Sequence, residues 1–304
     1  MSRAVVFNTY GDADVLQVVE LVAPDPPPGH VRVRVRAAGV QPFDCLFRSG
    51  AAHQWTPATF PQRLGNEFAG IIDALGEDVT EFASGDEVLG WAMLTSYAEH
   101  VVVGVEAIVA KPPKMPWTEA GVLSASGQTA ATALAQLGVG EGDTVLIHAA
   151  AGGVGTFATQ IAKARGASVI GTASEHNHDY LHSLGAIPVA YGDGLTDRVR
   201  AAAPRGVDAA LDAAGTKEAL RVSRELVRDR SRVGAVAFNP AAAELEVRRL
   251  STERSAAQLR ELTDLYTACE LQIVIQHAYP LEDAPEAHRA IETGHVRGKI
   301  VLVT

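Results

Sequence analysis

Cysteine is nearly absent from this chain: Cys45 and Cys269 are the only two in 304 residues. Neither stands in a C-x-x-C or other metal-like spacing, which excludes a disulfide scaffold and a cysteine-rich zinc site and fits a reducing cytoplasm. Long apolar runs are missing as well; none approaches the roughly 20 residues that span a bilayer. The opening "MSRAVVFNTYGDADV" turns polar too soon for a signal peptide. Basic residues are in the minority, with 26 Lys and Arg against 36 Asp and Glu and a net charge of −10. That balance argues against a nucleic-acid-binding face. What is present is ordinary for a globular enzyme of one or two domains, with 47% hydrophobic and 20% charged residues.

The first hundred residues predict short strands. "VRVRVRAAGV" (31–40) alternates valine and arginine at period two, as a strand with one wet face does. The proline-rich "PDPPPGH" before it cannot continue a helix or a central strand. "FAGIIDALG" and "DEVLGWAML" are further apolar runs bounded by Gly and Asp. After "KPPKMPWTEAG" (111–121) the pattern changes to alternation: "DTVLIHAA", "ASVIGTAS", "GVDAALDAAG" and "SRVGAVAF" read as strands, with helical segments such as "TFATQIAKARG" and "HDYLHSLGA" between them. Such alternation implies a doubly wound parallel sheet. The terminal "GKIVLVT" reads as a strand that returns to the first domain.

The stretch "IHAAAGGVG" (147–155) has the rhythm of a phosphate-cradling loop. Gly152 and Gly155 occupy the second and third places of G-x-G-x-x-G, and Ala150 stands in the first. Gly153 and Val154 lie between them, after a predicted strand and at the opening of a predicted helix, the context that the fingerprint requires. Gly152 lets the backbone approach a pyrophosphate, Gly155 lets helix and strand pack closely, and the helix N-terminus favours the phosphate charge. Alanine at the first place costs little where the turn keeps φ negative. A tight turn that binds nothing is the bland alternative.

An NAD site places Asp or Glu about 20 residues on, against the ribose 2′-hydroxyl. The corresponding strand ends "VIGTAS", with Ala173 and Ser174 at that point. Without the carboxylate a 2′-phosphate is tolerated and Ser174 can donate to it, with His176, His178 and Tyr191 in reach. NADP(H) is therefore expected over NAD(H), although a small shift of the strand end would make Glu175 a ribose ligand.

These segments together resemble the zinc-independent quinone oxidoreductases of the medium-chain dehydrogenase/reductase superfamily. "VRVRVRAAGVQPFDCLFRSG" is similar to the family's "AAGVNPxDxxxRxG" segment, and "RLGNEFAGIIDALGEDVTEFASGDEV" to its "PGxDxAGxVxxxGxxVxxxxxGDxV". "AAAGGVG", "LGA", "LDAAG" and "AHRAIETGHVRGKIVL" match further segments in order. The resemblance implies an α/β chain in two domains: a GroES-like β-barrel (1–118 and 275–304) and a Rossmann doubly wound parallel sheet (119–274). It also implies an active site in the cleft between them and a homodimer. Cofactor contacts are implied for Gln41, Thr129, Gly152 to Val154, Ser174, Tyr191, Ala213, Phe238 and Lys299; Lys299 reads equally as a structural lysine.

Zinc-dependent relatives draw ligands from "G-x-C-x-x-D" and "G-H-E". Here those slots read "GVQPFD" and "GNE", so Gln41 replaces the cysteine and Asn66 the histidine. Neutral amides are poor zinc ligands, and no metal is expected. The reaction implied is hydride transfer from NADPH to a quinone or an α,β-unsaturated carbonyl, which needs a donor for the developing charge. Gln41 is that donor by position, Asp44 is its partner or a turn cap, and His53 is a candidate proton donor in a loop where a lone histidine is more often merely exposed. The tyrosine often found two residues after the aspartate is Leu46 here; the tyrosine that follows a "GxxxxG"-like turn in the related enoyl-thioester reductases is missing from "SGAAHQW", which counts against that alternative. A catalytically quiet NADPH-binding protein is the other alternative. The charged segment "ELEVRRLSTERS" (244–255) reads as a lid, a dimer element or a solvated helix start, with the solvated reading preferred.

Overall fold

The valine–arginine period builds the strand around which the N-terminal region is organised. The computed structural model describes residues 1–237 and 239–304. It forms two units: Met1–Ala125 with Ser255–Asp264 and Ile273–Thr304, and Ser126–Arg254 with Leu265–Gln272. The first unit opens with β1 (Ser2–Phe7), β2 (Gln17–Leu21), β3 (His30–Val40), α1 (Pro42–Ser49), β4 (Gln62–Arg63), β5 (Glu67–Leu75), β6 (Glu87–Trp91), β7 (His100–Gly104), β8 (Ile108–Ala110) and α2 (Trp117–Ala120). Along β3, Val31, Val33 and Val35 are buried while Arg34 is exposed. β5 and β7 both pair antiparallel with β3. Helix α1 starts at Pro42, whose fixed φ suits a first helical position, and ends at Gly50 in the left-handed region, φ 85°.

The second unit follows with α3 (Leu123–Gln136), whose first residues belong to the first unit, then β9 (Thr144–His148), α4 (Gly153–Ala164), β10 (Ser168–Ala173), α5 (His178–Ser183), β11 (Ile187–Ala190), α6 (Leu195–Ala202), β12 (Ala209–Asp212), α7 (Lys217–Leu226), β13 (Val233–Ala235), α8 (Ala241–Glu244) and β14 (Arg248–Arg249). All five pairings are parallel, in the order β11-β10-β9-β12-β13-β14. Counted from β9, that is 3-2-1-4-5-6, the doubly wound order that binds dinucleotides where it reverses, beside β9 and β12. β12 is buried at every residue and β9 at all but Thr144, as expected for strands covered on both faces. The core joins Leu146, Ile170, Val199, Ala210, Leu220 and Val233.

Segment 244–255 differs from its solvated expectation. β14 forms the sheet edge against β13, Val247 and Leu250 are buried, and the Thr132 hydroxyl donates to the Glu253 carbonyl at 3.1 Å. Its charges had masked two apolar anchors too widely spaced to read as a strand.

The chain continues through α9 (Ala256–Thr267) and returns to the first unit with β15 (Ile275–Pro280), α10 (Ala284–Glu292) and β16 (Lys299–Val303). As the tail predicted, β16 pairs antiparallel with β3. This closes a seven-stranded sheet of order β15-β16-β3-β5-β6-β8, with β7 on β3. A second, three-stranded sheet runs β2-β1-β4. Val5, Phe7, Val33, Phe47, Phe68, Ile72 and Leu302 share the core of this unit. No helix among the described residues is long and apolar enough to cross a membrane.

Candidate functional site

The glycine loop lies between β9 and α4, at the carboxyl end of a central strand, with Gly152 as the residue before the helix. Its left-handed residue is Ala149, φ 54°, one place before the fingerprint; Ala150 does not share that conformation, so the first place needs no glycine. A Cβ at Gly155 would overlap the Ala149 carbonyl oxygen and come within 2.6 Å of Ala150 Cα, so this glycine permits close packing of helix and strand. A Cβ at Gly152 would meet only the Ala149 oxygen, at 3.3 Å, and otherwise point into open space. Gly152 to Val154 therefore offer a backbone cradle beside the first-turn amides of α4, which fits a pyrophosphate.

At the end of β10, three polar side chains gather. Asn177 Nδ2 donates to Ser174 Oγ at 3.2 Å and lies 3.3 Å from His176 Nε2, which is 3.4 Å from Ser174 Oγ. Asn177 escaped notice in the sequence; its signal was its place three residues after a strand-end serine. Glu175 is exposed on the same turn. His178 begins α5, with its Nε2 buried and without a hydrogen-bond partner. Tyr191 follows β11 and is 55% exposed, its carbonyl accepting from Arg198.

Across the strand-order reversal, β12 ends at Asp212, so Ala213 follows directly. Burial pushes the Asp212 carboxyl up, although the Ala214 and Gly215 amides donate to it. His148, at the end of β9, is fully buried between Thr172 and Ser223 hydroxyls, and burial lowers its pKa to about 4. It is a neutral core histidine. Thr129 on α3 shares a 2.9 Å hydrogen bond with Thr252. Phe238 lies outside the described residues.

In the first unit, Gln41 ends β3's extended run and precedes α1. Its backbone N–H donates to Asp44 Oδ2 at 2.9 Å, so Asp44 does cap the helix. The Gln41 amide Nε2 donates to Glu67 Oε1, and Lys299 Nζ donates to Gln41 Oε1 at 2.9 Å. Lys299 also pairs with Glu67 at 3.1 Å, both side chains being almost wholly buried. The second Glu67 oxygen accepts from the Ala125 amide at 2.6 Å. Three distant segments thus converge on one buried carboxylate.

Glu67 was not foreseen, although the signal was present: a charge opening the largely apolar run "EFAGIIDAL". Gly39 makes room for it, since a Cβ there would overlap the carboxylate. Lys299 is given a protein partner by this network.

Asp44 is fully buried and accepts from Asn66 Nδ2 at 2.6 Å and from the Tyr97 hydroxyl at 2.8 Å. Burial raises its pKa to about 6 against the pull of Tyr97, the Gln41 amide and Lys299. Burial, reinforced by Asp44, holds the Tyr97 phenol protonated. His53 stands apart from these bonds: its Nδ1 faces the Tyr10 hydroxyl at 3.0 Å, and the same hydroxyl accepts from the Ala58 amide. That arrangement clasps the loop after α1.

The donors at the two zinc-ligand slots are the amides of Gln41 and Asn66, one bound to Glu67 and Lys299 and the other to Asp44. An ammonium already stands beside Glu67, the strongest potential ligand in the group. Among the described residues no three His, Cys, Asp or Glu side chains are grouped to hold a metal ion.

Comparison with known proteins places both units. Residues 27–114 match the alcohol dehydrogenase GroES-like domain, and residues 184–302 match the family described as zinc-binding dehydrogenase. The chain is 30% identical over 339 aligned positions to a quinone oxidoreductase of Pseudomonas aeruginosa, covering 100% of each. It superposes on the quinone oxidoreductase from Coxiella burnetii with a TM-score of 0.87 at 32% identity, covering 100% of this chain and 99% of the other. It also superposes on the Escherichia coli quinone oxidoreductase complexed with NADPH, with a TM-score of 0.88 at 26% identity and 100% of both chains covered.

Proposed function

Because the chain belongs to the quinone oxidoreductase-like medium-chain dehydrogenase/reductase superfamily, an oxidoreductase family with a nicotinamide-binding domain, we propose that it is a zinc-free, NADPH-dependent reductase of quinones or α,β-unsaturated carbonyls. The observation that carries this reading is the Gln41–Glu67–Lys299 network, which fills the zinc-ligand slot with an oriented amide and a buried ammonium. NADPH, when bound along Gly152–Gly155, supplies the hydride. The charge that develops on a quinone or enone oxygen is delocalised, so a fixed hydrogen-bond donor suffices where a simple ketone would want a Lewis acid.

Gln41 is the proposed donor. Lys299, bonded to its Oε1, polarises the amide and with Glu67 holds it in one orientation, so little reorganisation remains at the moment of reaction. Asp44 positions the Gln41 backbone and does not touch the acceptor. Ser174, with no carboxylate at the ribose position of β10, supports NADP(H) over NAD(H). The reading includes a homodimer in a reducing cytoplasm, consistent with two unpaired cysteines.

The test is a titration with NADPH and NADH by fluorescence, followed by oxidation with 1,4-benzoquinone, 9,10-phenanthrenequinone, a simple enone and crotonyl-CoA, with metal content measured on the same sample. Acceptor-dependent NADPH oxidation by metal-free protein is the expected result. Turnover that requires added zinc, or turnover confined to crotonyl-CoA, would reject it.

A further inference from the structure

The region that receives the adenosine ribose is unusual in its cations. No Lys or Arg occurs between Arg165 and Arg198, while His176, His178 and His182 all do. Arg198 is committed elsewhere: its Nε, Nη1 and Nη2 donate to the carbonyls of Ala190, Asp193, Tyr191 and Gly192. Arg198 thereby braces the turn that carries Tyr191. The cationic capacity of the segment between those arginines is imidazole, and one imidazole, the exposed His176, lies in the Ser174–Asn177 cluster at the end of β10.

We propose that His176 is a specificity-determining residue that makes the choice between a 2′-phosphate and a 2′-hydroxyl dinucleotide depend on its protonation, with NADP(H) favoured when the imidazole is charged. This rests on the reading that the second unit binds NADP(H). In the neutral ring, Nε2 can accept the Asn177 amide proton, 3.3 Å away. Protonation turns Nε2 into a donor, which points its N–H toward an oxyanion beside Ser174 Oγ and releases Asn177 to donate there too. A phosphate gains both a charge-assisted bond and a counter-charge, whereas a hydroxyl gains neither. By linkage, NADP(H) binding takes up a proton.

The titratable neighbours are few. The same turn carries Glu175, and α5 carries His178, Asp179, Tyr180 and His182. Tyr180 is bonded to Thr156 of α4. β11, packed against α5, has no ionisable side chain, and Tyr191 and Asp193 follow it. The negative charges of Glu175 and Asp179 disfavour the phosphate.

The sign distinguishes protein from ligand. The 2′-phosphate gains charge as pH rises through about 6, which by itself strengthens binding with rising pH; a charged imidazole gives the opposite slope.

The experiment is calorimetric titration of NADP⁺, NAD⁺ and 2′,5′-ADP at constant ionic strength between about pH 5.5 and 8.5, in buffers of different ionisation enthalpy. The expected result is an NADP⁺ and 2′,5′-ADP Kd that rises about tenfold over that range with net proton uptake at the acid end, while the NAD⁺ Kd stays within about twofold. His176→Gln should flatten the NADP⁺ profile and leave NAD⁺ unchanged; His176→Arg should restore tight binding without pH dependence. NADP⁺ preference with a flat profile in the parent, or a slope that survives His176→Gln but is lost in His178→Gln, overturns the assignment to His176 and leaves the NADP(H) reading intact. NADP⁺ binding no tighter than NAD⁺ at any pH overturns both.

Discussion

Glu67 shows how much one buried charge can organise. Its carboxylate takes bonds from Gln41, Lys299 and the Ala125 amide, which come from segments far apart in the chain. Removing its charge leaves the Lys299 ammonium buried beside a neutral amide. Glu67→Gln should therefore destabilise the chain by about 3 kcal/mol in urea unfolding and lower kcat by disordering Gln41. Gln41→Ala, which keeps the ion pair, should lower kcat with quinones by about a hundredfold with little change in NADPH affinity or stability. A Gln41→Ala enzyme with unaltered kcat would remove the proposed donor.

Asp44 makes a pH prediction of its own. Its folded pKa of about 6 lies above the 3.8 of an ordinary aspartate, so the folded chain holds the proton more firmly. Its contribution is therefore complete below the lower value and is lost as pH rises through the higher one. Asn66 Oδ1 is buried without a hydrogen-bond partner, so a flipped Asn66 can accept from a neutral neighbour. Asp44→Asn should thus gain about 3 kcal/mol relative to the parent between about pH 4 and 7, read as the difference in unfolding free energy. A difference that stays constant with pH would show that the carboxyl titrates normally.

At the scale of the element, the turn from β9 into α4 separates two uses of glycine. Gly155→Ala places a methyl against the Ala149 carbonyl and Ala150 Cα, backbone that cannot yield without parting helix from strand. It should cost about 2 kcal/mol or more in stability. Gly152→Ala meets only one oxygen at 3.3 Å, and its φ of −79° suits alanine. The fold should tolerate it within about 0.5 kcal/mol while dinucleotide affinity falls at least about tenfold, because the methyl occupies ligand space. Equal losses of stability in the two variants would deny the cradle. Ala149, at φ 54°, is the strained residue of the loop, and Ala149→Gly should raise stability by about 1 kcal/mol.

For the whole molecule, the buried histidines set the acid limit. Burial lowers His148 to about 4, and burial with the Arg48 charge lowers His288 to about 3, against 6.5 for an ordinary histidine. Their neutral forms stabilise the fold above about pH 6.5, and that stability is lost as pH falls, since the unfolded chain takes up the protons first. His288 and Asp44 act in opposite directions within the first unit; the larger shift belongs to His288. His148 acts unopposed by Asp212, whose raised carboxyl lies in the same unit, only above that carboxyl's own titration. The expected outcome is a falling thermal midpoint between about pH 6.5 and 5, and His148→Gln should reduce the slope.

The parallel strands, the glycine loop and the returning tail were legible because each is declared by neighbours in sequence: apolar runs, a glycine spacing, a period of two. Gln41 and Asn66 were singled out through the family resemblance, and Ser174 through its offset from the glycine loop. Segment 244–255 was not legible, because its edge strand is two residues long and its anchors, Val247 and Leu250, are hidden among charges. Nor was the union of Glu67 with Lys299, 232 positions apart by the numbering (299 − 67). Local pattern determined the elements and the loop proposed to receive a dinucleotide, since hydrogen-bonding geometry and side-chain period act within a few residues. Only the tertiary structure decided which charges face each other in the core, because burial and pairing of charge depend on segments that meet through the antiparallel closure of β16 on β3.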